Sequence, residues 1–373
     1  MRLSASLLYS SLLLTLFAIG CTEPEKPATK EEAAQLARSL ENSMNKKSAA
    51  KFNEALDVAS LQKRIQEAGS QKIDTRIVDG AMKELKSGQL GSQIIQALGK
   101  TGTYQLVKQY EKDKNQHLVF RMYANSKLNY HDLEVIKKKD QVKISDVFIY
   151  MTGENLSATL AESALLMTEN LDNLTEMDKN RLNNIKRIRQ LINQEEYTKA
   201  QALYKELPAV LKQTKLFQMM YVQIAAGLGN DEYLKAMTDY KKSYPNAANV
   251  YLLMIDAYIL KEEYDNALQA VNQLDSLINK DPFLDYYRGL IYKMTGNKAK
   301  QLEHFESLNA SMPGFSDGTL ELLITYLDAE ETDKAVALVT NKKSNYKKID
   351  KEQRETIYSL YPEFKKQLGA DAD

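Results

Sequence analysis

The stretch KEEYDNALQAV, Lys261–Val271, decides how the second half of the chain is read. Glu262 and Glu263 mark a tight turn, and Tyr264, Ala267 and Val271 then follow at helical spacing. The same pattern returns on both sides. Glu195, Asp231, Glu262, Gly296 and Glu330 can be set at one equivalent position, and they stand 36, 31, 34 and 34 residues apart. Two residues after this marker come Tyr197, Tyr233 and Tyr264, and five after it come Ala200, Ala236, Ala267 and Ala335. Nine after it stand Tyr204, Tyr240, Val271, Phe305 and Val339; four before it stand Tyr258, Tyr292 and Tyr326. Each unit reads as a hairpin of two helices. Alanine on the second helix lets the first approach, and the larger side chains fill the space beside it. No strand pattern appears after Tyr150.

A unit of about 34 residues carrying these residues resembles the tetratricopeptide repeat. Pro313 sits at the usual repeat-ending position, while Gly227 stands where tyrosine is usual. The resemblance implies an all-α solenoid of about five repeats over residues 181–373, closed by a capping helix at Lys351–Leu368. A helical hairpin cannot bury its apolar face alone, so such units stack and leave a concave groove. Residues 156–180 are expected to cap the stack or bridge it to what precedes it. In this family the groove takes an extended or helical peptide, and its lining comes from the first helix of each repeat, ten, six and three residues before the marker. Those positions hold Tyr221, Ala225 and Leu228, then Leu252, Asp256 and Ile259. The next two repeats supply Tyr286, Leu290 and Lys293, then Leu320, Ile324 and Leu327. The set is mostly apolar and lacks the Lys/Asn pattern that clamps a peptide carboxylate in chaperone-binding relatives. Burial against a neighbouring repeat or the first domain is the other role open to these residues.

Upstream, the period changes. Thr29-Lys30-Glu31-Glu32 has the form of a capping box at a helix start. Helices are expected over Glu32–Met44, over Ser48–Val58 and on to Ala68, over Thr75–Leu85 and over Leu90–Leu98. Four runs rich in Val, Ile, Tyr and Phe follow: TYQLVKQYEK, QHLVFRMYAN, YHDLEVIKK and QVKISDVFIY. Lys139-Asp140-Gln141 is the expected turn between the last two. Helices followed by an antiparallel meander give an α+β domain over residues 31–155. This order, closing on QVKISDVFIYMTGENL, resembles the nuclear-transport-factor-2-like cone. Some relatives with that fold are enzymes with an Asp–His pair inside, for which His131, Asp132 and Asp146 would be the candidates here. His131 and Asp132 are adjacent on a strand and point to opposite faces. Asp146 is expected to share a face with Val142, Ile144, Phe148 and Tyr150, which would aim it inward.

The lone cysteine, Cys21, follows an apolar run that opens with Arg2 and ends at Gly20. This three-part layout is that of a secretory signal. Phe17-Ala18-Ile19-Gly20-Cys21 resembles the lipobox of bacterial lipoproteins, which implies cleavage after residue 20 and diacylglycerol on the Cys21 thiol. An ordinary signal with an incidental cysteine is the alternative. One acyl chain holds only marginally, whereas several on one residue anchor a soluble body almost permanently. In that family Thr22, in place of Asp, favours the outer membrane, facing the periplasm or the cell surface. Residues 21–30 would be an extended tether.

The chain has 373 residues, with Lys+Arg and Asp+Glu both at 50. That balance argues against a nucleic-acid partner. One cysteine and the scattered His117, His131 and His304 offer no zinc motif, and no phosphate loop or nucleophile elbow is present. The sequence therefore points to a non-enzymatic, lipid-anchored scaffold that docks a protein or peptide and needs no metal or cofactor. The other readings are a small ligand held by the first domain and self-association through the repeats.

Overall fold

The computed structural model describes residues 25–69, 73–125, 127–170, 184–244 and 250–369. Cys21, the leader and part of the expected bridging segment lie outside these residues. Helix α1 (Lys30–Asn45) opens with the expected capping box. The Glu32 amide donates to Thr29 Oγ1 at 3.2 Å, and the Thr29 amide donates to Glu32 Oε2 at 2.9 Å. The helix expected to run from Ser48 to Ala68 is instead two, α2 (Ala50–Ala55) and α3 (Val58–Ala68). Leu56 is extended and bridges to Ile144, and Asp57 caps the second helix through the Ala59 amide at 3.2 Å. Helices α4 (Thr75–Lys86) and α5 (Gln89–Leu98) complete the set.

The sheet is antiparallel in the order β2 (Thr103–Lys112), β3 (Asn115–Ala124), β4 (Lys127–Lys138), β5 (Gln141–Ile149) and β6 (Glu154–Asn155). Asp113 and Lys114, and likewise Lys139 and Asp140, all have positive φ. Two-residue turns of this kind match the right-handed twist of the strands they join. A short strand β1 (Lys26–Pro27) pairs with Lys137 and Ile136 of β4, beyond Val135, where the pairing of β3 ends. The expected tether is thus already docked at this point. Ser60 donates to Glu25 Oε1 at 2.6 Å, and Ala28 is buried.

One face of the sheet packs on the helices. Leu40, Met44, Phe52, Leu118 and Leu133 fill the space between them, and Tyr104 stacks on Phe120 at 4.7 Å. Helix α6 (Leu156–Asn170) joins the same core through Leu156, Ala161 and Ala164, and also touches the helical region that follows.

From residue 184 on, the described chain is all helical, in five pairs. These are Asn184–Asn193 with Tyr197–Glu206, Lys215–Leu228 with Asn230–Ser243, and Val250–Leu260 with Tyr264–Ile278. Then come Leu284–Met294 with Lys298–Ser311, and Ser316–Asp328 with Thr332–Asn341. Each helix packs against the next in chain order, apart from the short turn Ala209–Lys212 between the first two pairs. The alanines of the pattern (Ala200, Ala236, Ala267 and Ala335) are buried, as are Tyr204, Tyr240, Val271, Phe305 and Val339. Where the fourth pair has Gln301 instead of alanine, its amide donates to Thr325 Oγ1 at 2.9 Å, so the buried polar group is satisfied.

The turn marker is left-handed at Glu195, Glu262, Gly296 and Glu330, with φ of 59°, 60°, 72° and 60°. Asp231 is different. It lies inside the second helix of its pair, and the reversal is made by Gly229 alone, at φ 131° and ψ 170°. Only glycine tolerates that region, so the chain turns in one residue and the helix starts early. The turn residues are then 195, 229, 262, 296 and 330, at intervals of 34, 33, 34 and 34.

The expected terminal helix over Lys351–Leu368 is broken into Lys351–Leu360 and Pro362–Leu368. Tyr361, at φ −126° and ψ 71°, precedes proline and is held out of the helical region. Ile357, Tyr358, Phe364 and Leu368 still close the apolar face of the fifth pair.

Candidate interaction cleft

The outer face of the sheet meets the helical pairs. Val119, Tyr123, Leu128, Tyr130 and Tyr150 form one core with Leu252, Ile255, Phe283, Leu284 and Tyr287. Tyr123 lies 4.8 Å from the Phe283 ring and 5.6 Å from that of Phe315. A buried ion pair fixes the contact: Arg121 Nη1 donates to both Asp281 oxygens at 2.6 and 2.7 Å, and Tyr130 adds a bond at 2.9 Å. The Arg121 guanidinium also lies over Phe283, 4.7 Å from its centroid. Burial raises the Tyr130 hydroxyl well above its ordinary pKa, aided by the Asp281 charge, so it stays a donor.

Beside this junction the two regions diverge and leave a cleft. One stretch, of about 400 Å³, runs between Lys127, Leu128 and Met151 of the sheet region and Met219, Gln223, Leu252, Asp256 and Ile259 of the helices. The other, of about 570 Å³, lies between α5 with Asn129 and Thr152 on one side and Arg189, Gln190, Ile192 and Met219 on the other. Met151, Met219 and Gln223 line both stretches, so the two adjoin at these residues.

The sequence-derived groove positions fall here unevenly. Leu252, Asp256 and Ile259 line the cleft. Tyr221, Ala225 and Leu228 do not. Tyr221 stacks on Tyr204 at 5.0 Å, Ala225 is wholly buried, and Leu228 packs on the first pair's core. The cause is the misplaced marker. Counting ten, six and three residues back from Gly229 gives Met219, Gln223 and Ala226, and all three line the cleft. The same count from Glu195 gives Ile185, Arg189 and Ile192, of which the last two line it. Further along, the expected residues are taken up by other contacts. Tyr286 meets the Phe315 ring at 5.2 Å, Lys293 pairs with Glu321 at 2.7 Å, and Leu290, Leu320 and Leu327 pack into the core of the last pairs. Ile324 is half-buried.

Six residues before the turn, successive pairs therefore present Arg189, Gln223 and Asp256. Asp256 is open to the cleft, yet close protein walls displace bulk water and push its carboxyl up to about 6, against a smaller opposing pull from Lys127. Desolvation also lowers the Arg189 guanidinium, partly offset by Glu84, and leaves it a cation.

The candidate catalytic groups are engaged structurally. His131 is buried, with Tyr104 Oη 3.2 Å from its Nδ1 and Asn129 Nδ2 3.2 Å from its Nε2. Burial drops its pKa to about 4, which keeps it neutral. Asp132 does lie on the opposite face, where its Oδ1 is 3.0 Å from His117 Nδ1 and it accepts from Tyr110. The expected face for Asp146 fails because of a β-bulge: Glu134 pairs with Asp146 and Val135 with Ile144, which leaves Ser145 as the extra residue. Asp146 instead caps α6, accepting from the Ser157 hydroxyl at 2.5 Å and the Ser157 amide at 3.2 Å.

An antiparallel sheet backed by helices, facing an all-helical run of paired helices across a cleft, is the class of protein these features define. A solved thermophilic TPR protein of Thermus thermophilus is similar at 18% identity, covering 48% of this chain and 97% of that one, with a TM-score of 0.36. No family profile and no curated protein matches the chain. No helix among the described residues is long and apolar enough to cross a membrane.

Proposed function

We propose that the protein is a lipid-anchored interaction scaffold of a bacterial outer membrane, whose helical pairs are tetratricopeptide repeats stacked as a solenoid and whose cleft docks a protein partner. The observation that carries this reading is the cleft itself. Equivalent positions on three consecutive pairs line it, and the sheet region forms its second wall. Sites at the junction of two regions, with apolar walls and a few polar groups, are the usual form of a binding site. The anchor rests on the lipobox-like segment ending at Cys21.

Two measurements test the reading. Cys21→Ser is expected to move the protein from the carbonate-resistant membrane fraction to the soluble one; unchanged fractionation would remove the anchor. Crosslinking in intact cells, followed by affinity capture, is expected to recover a partner with the wild type and much less of it with Ala226→Trp. Ala226 is exposed to the cleft, so the bulkier ring blocks the cleft without touching the core. Equal recovery from both would remove the cleft as the docking site.

A further inference from the structure

Charge is distributed along the cleft in an order that narrows what it can hold. At one turn-relative position, three consecutive pairs carry a cation, an amide and an anion: Arg189, Gln223 and Asp256. Among the described residues no hydrogen bond or ion pair reaches the Asp256 carboxylate, and the groups facing it are Lys127, Tyr233 and Tyr287. Lys127 is exposed at the rim. At the other end, the acid felt by Arg189 is Glu84, which already pairs with Lys186 at 3.1 Å. Desolvating a charge without a close partner is costly, and a ligand that supplies the partner recovers that cost. Along the cleft stand Gln190 and Gln223, whose exposed primary amides can both donate to and accept from a peptide main chain. Met151, Met219 and Leu252 supply apolar wall.

We infer that the cleft takes an extended peptide segment of opposite charge at its two ends, a Lys or Arg side chain seated on Asp256 and a carboxylate on Arg189. This deepens the scaffold reading and rests on it. A purely apolar segment would leave both charges unpaired, and a nucleic acid or other polyanion would be repelled at the Asp256 end. The match of charge sign at both ends is what selects a peptide of mixed charge.

A phage-displayed library of random nonapeptides, selected against the detergent-solubilised full chain, tests the inference. Selected sequences are expected to be enriched in Lys or Arg and in Asp or Glu, separated by intervening residues. Synthetic copies are expected to bind Asp256→Asn at least about tenfold more weakly. Selection against Asp256→Lys is expected to exchange the basic preference for an acidic one, and Arg189→Glu to do the reverse at the other end. Circular dichroism confirms that each variant is folded, and because the exchange is a gain of preference, misfolding cannot mimic it. Apolar peptides bound equally by wild type and Asp256→Asn would overturn the charge assignment and leave the scaffold standing. No selected peptide at all would overturn the inference, while the scaffold reading would still stand or fall on the capture experiment with Ala226→Trp. Dimerisation that Asp256→Lys abolishes, with no peptide selected, would make a second copy the occupant and also overturn the inference.

Discussion

The sheet region and the helical pairs hold themselves together in different ways. In the first, groups far apart in sequence meet: Arg64 forks onto Glu134 at 2.9 Å through both terminal nitrogens, and Lys137 reaches Glu32 at 2.8 Å. In the second, each helix rests chiefly on the next, and the recurrent small-and-large pattern is satisfied locally. The lesson lies in how damage spreads. A lost contact in the sheet region removes a constraint between distant segments, whereas a lost contact among the pairs is felt first by its neighbours.

The largest expected effect is at the place where the two regions are joined. Arg121→Ala leaves Asp281 buried without its cation, and breaking such a pair costs about 3–5 kcal/mol. Denaturant unfolding is expected to show that loss, with sheet and helix signals separating into two transitions; a single unshifted transition would mean that the junction does not couple the regions. A smaller, local effect is expected within the pairs. Gly229→Ala forces a side chain into a backbone region that only glycine adopts, at about 1–3 kcal/mol. Hydrogen exchange should then accelerate in Lys215–Ser243 and stay unchanged in the sheet. Protection lost equally everywhere would break the distinction between the regions.

The smallest effect has a sign fixed by pH. Folding raises the Asp256 carboxyl to about 6 from 3.8, so the folded state binds the proton more tightly than the unfolded chain does. Stability from this group is present at low pH and is lost as pH rises through about 6. Asp256→Asn is therefore expected to melt higher than wild type at pH 7 and together with it below pH 4. A higher melting point at both pH values would trace the gain to something other than the charge.

Much of this arrangement was legible in residue chemistry. The capping box, the four strands and the buried alanines depend on neighbours within a few positions, and each stands where the sequence places it. The bulge at Ser145 depends on which residues of β4 lie opposite, so alternation within β5 alone points Asp146 to the wrong face. The Arg121–Asp281 pair spans 160 positions and has no local signature. The cleft was half legible. In the second pair the side-chain pattern follows Asp231 while the turn follows Gly229, and only the turn fixes which face of the first helix looks into the cleft. The spacing itself held the clue, since 36 and 31 become 34 and 33 when glycine is taken as the turn.

The short strand at Lys26–Pro27 sets a leash length. From Glu25, which Ser60 holds, back to Cys21 is four residues, and a fully stretched chain covers at most about 14 Å over that distance. A group carried on residue 21 cannot wander far from the end of the sheet where β4 turns into β5. Were residue 21 lipidated as proposed, tilting about that pivot, and not paying out chain, would be the way to carry the helical pairs toward or away from the bilayer.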